Sequence, residues 1–155
     1  MTLRLYLEPT VLVKLFKREH DSDKMLDIME AIDTRTQWFG CTSAWSTLEV
    51  ARALRKDGKP KELIELNLKE LHRHKITYLD ITQAILRRSE QIIAARSLYA
   101  SDALHAATYQ SVSRRKSLDG MLSDDKHYER LKGTVKVLTI DEIGPPTGTR
   151  DHQPS

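Results

Sequence analysis

The sequence predicts an α/β fold, a three-layer α/β/α sandwich around a mainly parallel central sheet. Two observations carry this expectation. Short β-prone runs alternate along the chain with longer segments of helical apolar spacing. That order belongs to parallel sheets covered on both faces. The 155 residues, 39% of them hydrophobic and 30% charged, suffice for one domain with its own core.

The elements follow in order. Leu3 to Leu7 reads as a buried strand, and Val11 to Phe16 as the start of a helix with Leu12, Val13, Leu15 and Phe16 on one face. Asp21 and Ser22 can cap a second helix carrying Met25, Leu26, Ile28, Met29 and Ile32. Trp38 to Ser43 is a second β-prone run. Ala44 to about Lys56 is a helix with Leu48, Ala51 and Leu54 inward, ended by Asp57-Gly58. Pro60 opens the next helix, where its missing N–H costs nothing. Ile76 to Leu79 is a third strand. Thr82 to Arg96 is a helix with an apolar face of Ile85, Leu86, Ile92 and Ile93, and Ser101 to Ser113 is another. Gly120 to Leu122 is a short strand, Asp125 to Leu131 a short helix, and Val135 to Ile140 the last strand. Residues 1–143 thus form the domain. Residues 144–155, with three prolines, two glycines and no core pattern, read as a disordered tail.

Composition narrows the setting. The single Cys41 excludes an internal disulfide, which suits a reducing cytoplasm. No apolar run is long enough to span a bilayer. Arg4, Glu8 and Lys14 interrupt any signal-peptide pattern. A net charge of +3 permits a polyanionic partner without demanding one.

In open parallel sheets, sites form outside the carboxyl ends of the strands. Glu8 follows the first strand, and Asp124 and Asp125 follow the strand at Gly120. Glu49 lies in the helix after the second strand, on or beside its buried face, and Asp102 lies in the first turn of its own helix. Each has a plain structural explanation. Asp102 and Asp125 suit helix starts, and Arg52 could pair with Glu49. Glu8 is harder to explain so, because a carboxylate at the end of an inner strand needs a partner charge or a metal. Taken together, clustered carboxylates repel unless a cation intervenes, and hard oxygen ligands favour Mg²⁺ or Mn²⁺. Thr10 and Ser123 are placed to support such ligands. Arg52, Arg55 and Lys56, within a run that includes Lys59 and Lys61, could bind the phosphates of a polyanion, or could be a solvated helix end. His105, one turn from Asp102, reads as a packing residue or one bonded within its helix. Trp38 and Trp45 read as core or contact residues.

At these residues the chain resembles a PIN domain. YLEPTVLVKLF stands where that family has a strand, Asp-Thr-Ser and a helix. TSAWSTLEVARAL supplies the Glu of the second motif, SDALHAATY the Asp of the third, and LSDDKHYERL the Ser123 and Asp125 of the fourth. The order and spacing agree from about Leu3 to Ile140. The size most resembles VapC toxins of toxin–antitoxin pairs. The resemblance implies a Mg²⁺- or Mn²⁺-dependent endoribonuclease acting on RNA, with Glu8, Glu49, Asp102 and Asp125 at the metal. It further implies a homodimer held inactive by a cognate antitoxin protein. The sequence departs from the family where Glu8 replaces the usual Asp and Pro9-Thr10 the usual Thr-Ser. That departure motivates a second reading, a PIN-fold module that binds RNA or a protein without cleaving. A third is an unrelated phosphatase-like enzyme using the same acids.

Overall fold

The computed structural model describes residues 2–131 and 133–144. Five parallel strands, β1 (Leu3–Leu7), β2 (Trp38–Ser43), β3 (Ile76–Leu79), β4 (Gly120–Leu122) and β5 (Val137–Leu138), form one sheet in the order β3-β2-β1-β4-β5. The helices are α1 (Pro9–Leu12), α2 (Ser22–Thr34), α3 (Ser46–Lys56), α4 (Lys61–Arg73), α5 (Gln83–Ala95) and α6 (Ala100–Ser113). The central strand β1 pairs Leu5 with Gly40 on one side and with Gly120 on the other.

Alternation along β1 divides the core in two. Leu5 and Leu7 join Val11, Leu12, Met25, Ile28, Met29, Val50, Leu54 and Leu71 on one face. Tyr6 points the other way, into Ile85, Ile92, Ala103, Ala107, Met121 and Tyr128. The first core lies under α1 to α4 and the second under α5 and α6, which makes the three layers expected from the sequence. Chain order reverses direction across the sheet between β1 and β4. The carboxyl ends of those two strands therefore flank the switch point where such sheets form crevices.

Several local expectations give way to packing. The first helix starts at Pro9 rather than Val11 and tightens into a 3₁₀ turn at Val13–Leu15. The third starts at Ser46 rather than Ala44. Asp21 makes no capping bond to α2; instead the Ser22 hydroxyl accepts from the Glu19 N–H. Leu48, expected inward, is 56% exposed, and Leu86 and Ile93 are both 41% exposed beside the buried Ile85 and Ile92. Helical spacing marks an apolar stripe, but only one residue of each adjacent pair reaches the sheet. The last strand is two residues, because the chain turns into a 3₁₀ segment at Ile140–Glu142. Beyond Gly144 the expected tail lies outside the described residues. Among the described residues no helix is long and apolar enough to cross a membrane.

Two glycines have structural tasks. Gly58 ends α3 at φ +83°, where a side chain would be strained. At Gly120 a Cβ would come 2.6 Å from Leu138 Cδ1 and 3.0 Å from the Lys136 carbonyl oxygen. The Lys136 backbone is held, since its carbonyl accepts from Met121 N–H at 2.7 Å. Gly120→Ala is therefore expected to cost about 1–3 kcal/mol of stability by urea denaturation. An unchanged midpoint would show that β5 can move aside.

Candidate active site

Glu8 stands at the end of β1 and is only 3% exposed. Part of its role is local: it is the N-cap of α1, and its Oε2 accepts from the Thr10 N–H at 3.2 Å. Pro9 has no N–H, so Thr10 offers the first one available. The same Oε2 also accepts from the Thr10 hydroxyl and, at 2.8 Å, from the Ser123 hydroxyl. Those hydroxyls in turn accept from Asp124 N–H at 3.0 Å and Asp125 N–H at 2.9 Å. A pair of hydroxyls thus clamps the loop after β1 to the loop after β4. Burial raises the Glu8 pKa, and the Thr10 and Ser123 hydroxyls counter it in part.

Glu49 lies in the first turn of α3. Its partner is His105, with Nε2 at 2.6 Å from Oε1, and not Arg52, which is exposed. His105 is fully buried, and its bonds run to other elements rather than within α6. Glu8, Glu49 and His105 bring ligand atoms within 4.8 Å of one another.

Asp102, in the first turn of α6, is 7% exposed and makes no capping bond. Its Oδ2 is buried without a hydrogen-bond partner. Its pKa is pushed up to about 6, first by burial and then by the neighbouring Asp125, with Glu49 adding to the effect. Asp125 turns its Oδ1 back to the His127 N–H at 2.9 Å, so it also serves as a local cap. His127 Nδ1 lies 3.0 Å from Asp125 and 3.4 Å from Asp102. Asp102, Asp125 and His127 form a second group within 4.8 Å. The Asp102–Glu49 interaction joins the two groups electrostatically.

Three residues escaped the sequence reading. His127 was hidden because nothing in DDKHY marks it as facing an acid. The Tyr128 hydroxyl is buried without a partner, and its pKa is raised by burial and then by Glu8, Asp102, Tyr6 and Asp125. Lys14 is buried, its ammonium 2.6 Å from Glu19, 2.8 Å from Asp21 and 2.6 Å from Asp124. Burial alone would lower its pKa, but the three carboxylates overcome that and raise it. Lys14 takes up the Asp124 side chain, while Asp125 turns to the acid cluster. Elsewhere Trp38 packs against the first core, and Trp45 is 39% exposed. Arg52, Arg55 and Lys56 are exposed along α3 beyond Glu49.

The two groups together offer hard oxygen from four carboxylates, with a histidine beside each pair. Two of the carboxylates are held at raised pKa, and Asp102 Oδ2 is buried with His127 Nδ1 at 3.4 Å as an ion-pair neighbour but no hydrogen-bond partner among the described residues. This set fits a divalent cation of the hard class.

The fold and the cluster together define an α/β domain with acidic residues gathered at its topological switch. The chain belongs to the PIN domain family, whose sequence model matches residues 5–133. It is 30% identical over 144 residues to "Ribonuclease VapC35" of Mycobacterium tuberculosis, covering 91% of this chain and 96% of that protein. Among solved structures it is similar to VapBC2 of Rickettsia felis bound to a promoter DNA fragment, with a TM-score of 0.67 and 11% identity. That match covers 88% of this chain and 98% of the other. It is also similar to a toxin–antitoxin complex from Klebsiella pneumoniae, with a TM-score of 0.61 and 20% identity over 90% of this chain and 99% of the other.

Two expectations follow from the charges. Asp102 has a folded pKa of about 6, above the value of about 3.9 of an unfolded Asp. Its protonated form therefore favours the folded state below about pH 4, and that stability is lost as pH rises through 6. In metal-free protein, Asp102→Asn is expected to gain about 1–3 kcal/mol over wild type on going from pH 4 to pH 7. Parallel urea-stability profiles would contradict this. Lys14→Met should cost about 3–5 kcal/mol, because it strands the buried Asp21 without its cation. A loss below about 1 kcal/mol would show that the cluster is not held by its lysine.

Proposed function

We propose that this chain is a metal-dependent endoribonuclease of the PIN type and the toxin of a toxin–antitoxin pair. The observation that carries the reading is the buried Asp102 Oδ2, without a hydrogen-bond partner and raised in pKa by the Asp125 and Glu49 carboxylates beside it. Family membership and the 30% identity to a VapC ribonuclease support it. Glu8, Glu49, Asp102 and Asp125 would hold Mg²⁺ or Mn²⁺. When bound, such an ion supplies a water of lowered pKa and a counter-charge for the leaving oxygen of a phosphodiester.

The chain's own residues do the rest. Thr10 and Ser123 fix Glu8 by fastening one of its oxygens, which leaves Oε1 for the crevice. Asp124, drawn to Lys14, stands beside the cluster as a supporting charge rather than within it. His127, half exposed, steadies Asp102 and Asp125 at the open edge. Arg52, Arg55 and Lys56 offer a cationic strip on which RNA phosphates would lie, and binding there should weaken with salt. The partners proposed are RNA, a cognate antitoxin protein and a second copy of the chain, and the compartment is the cytoplasm.

A second reading keeps some support from Glu8 itself. Its extra methylene, relative to Asp, moves the carboxylate by about one bond length, and Mg²⁺ tolerates little displacement from octahedral geometry. A PIN-fold module that binds RNA or protein without cleaving would follow if that displacement emptied the site.

The deciding assay compares wild type, Asp102→Asn and Glu8→Asp on total cellular RNA with Mg²⁺, Mn²⁺ or EDTA. Cleavage by wild type is expected with a divalent ion and not in EDTA. Asp102→Asn should lose at least about 100-fold in rate while still binding RNA. No cleavage by wild type with either metal, and cleavage by Glu8→Asp, would favour the binding module. Turnover of small phosphoesters with indifference to RNA would point to a phosphatase instead.

A further inference from the structure

We infer that His105 is the positioning residue for Glu49, oriented in turn by Tyr6. The inference rests on the metal-site reading above, but it concerns residues that reading does not use.

His105 is fully buried, and both ring nitrogens are engaged. Nε2 lies 2.6 Å from Glu49 Oε1, and Nδ1 lies 2.7 Å from the Tyr6 hydroxyl. A carboxylate oxygen only accepts, so Nε2 carries the proton. In the neutral ring Nδ1 is then the acceptor, so the Tyr6 hydroxyl donates to it while the Tyr6 oxygen accepts from the Ser43 N–H at 3.2 Å. The donors therefore run one way: Ser43 N–H to Tyr6, Tyr6 O–H to His105, and His105 Nε2–H to Glu49. The Tyr6 and His105 rings meet edge-on, with centroids 5.9 Å apart and planes at 72°, and Tyr109 braces Tyr6 on a further edge.

The chain of bonds has a definite geometric effect. Glu49 rides on α3, whose buried face belongs to one core. His105 rides on α6, which belongs to the other. One hydrogen bond crosses between the layers at the site. His105 also lies one turn after Asp102 on the same helix. The helix that presents Asp102 therefore sets where Glu49 stands. Fastening Oε1 leaves Oε2 for a cation, just as Thr10 and Ser123 do for Glu8. Partners of this kind fix a ligand's orientation, and losing one lowers metal affinity by about 10–100-fold.

The test uses Mn²⁺ as probe, with free ion read by electron paramagnetic resonance at fixed pH, in wild type, His105→Asn, His105→Gln and Tyr6→Phe. Asn is too short to reach Glu49, whereas the Gln amide N–H can stand in for Nε2–H. His105→Asn is expected to bind Mn²⁺ about 10–100-fold more weakly, with Gln recovering most of the loss. Long-range ¹H–¹⁵N spectra should show His105 as the Nε2–H tautomer in wild type and a loss of that single form in Tyr6→Phe. Equal Mn²⁺ affinity in wild type and His105→Asn overturns the inference alone. If His105→Asn does not fold, an unaltered tautomer and Mn²⁺ affinity in Tyr6→Phe overturns it instead. No Mn²⁺ binding by wild type overturns the functional reading and this inference with it.

Discussion

The structure turns on burying a carboxylate at the end of the central strand. Glu8 sits where the sheet's hydrophobic cross-section ends and where water is almost excluded. Left alone, it would be costly there. The protein meets the cost with two hydroxyls, from Thr10 and Ser123, that reach the same oxygen from loops 115 and fewer residues away in sequence. Those hydroxyls also take up the next loop's N–H groups, so satisfying Glu8 shapes the loop that presents Asp125. A capping residue and a candidate ligand are thus one residue. The Glu in place of the family's Asp has the reach to do both.

Charge is sorted around this point with some economy. Asp124 and Asp125 are neighbours, yet one goes to a buried lysine and the other to the acid cluster. Lys14 pairs with Glu19, Asp21 and Asp124 on the side of α1, which draws Asp124 away from the other acids. The acids are held near one another by bonds to neutral groups and histidines rather than by arginine. That arrangement leaves room for a cation that an arginine would already have taken.

Much of this was legible in the sequence. The alternation of elements predicted the layers, and the rule that sites lie beyond strand ends pointed to Glu8 and Asp125 as candidates. Glu49 and Asp102 followed from their helix contexts. What stayed hidden has common physical causes. Leu48, Leu86 and Ile93 look core-facing because periodicity cannot tell which of two adjacent apolar residues meets the sheet. The partner of Glu49 is a histidine 56 residues away, so the nearby Arg52 was the natural but mistaken choice. Lys14 reads as a break in an apolar stretch; two of its acids, Glu19 and Asp21, are near it in sequence, and the third, Asp124, becomes a partner only when the loop after β4 folds over α1. The last strand is shorter than its β-prone run because only Val137 and Leu138 pair with β4 before the chain turns into the 3₁₀ segment at Ile140.

The strand order also sets a timetable. β1 is made first, and its neighbour β4 almost last, so the central strand waits for half of its pairing. At about 5–20 residues per second of synthesis, Asp125 follows Glu49 by roughly 4–15 s. Until then a nascent chain carries Glu8 without Ser123, and Glu49 without His105. The carboxylates can meet only once β4 and the loop after it have been made. A growing chain thus carries every α-helix of the fold before it can assemble the proposed site for cutting RNA.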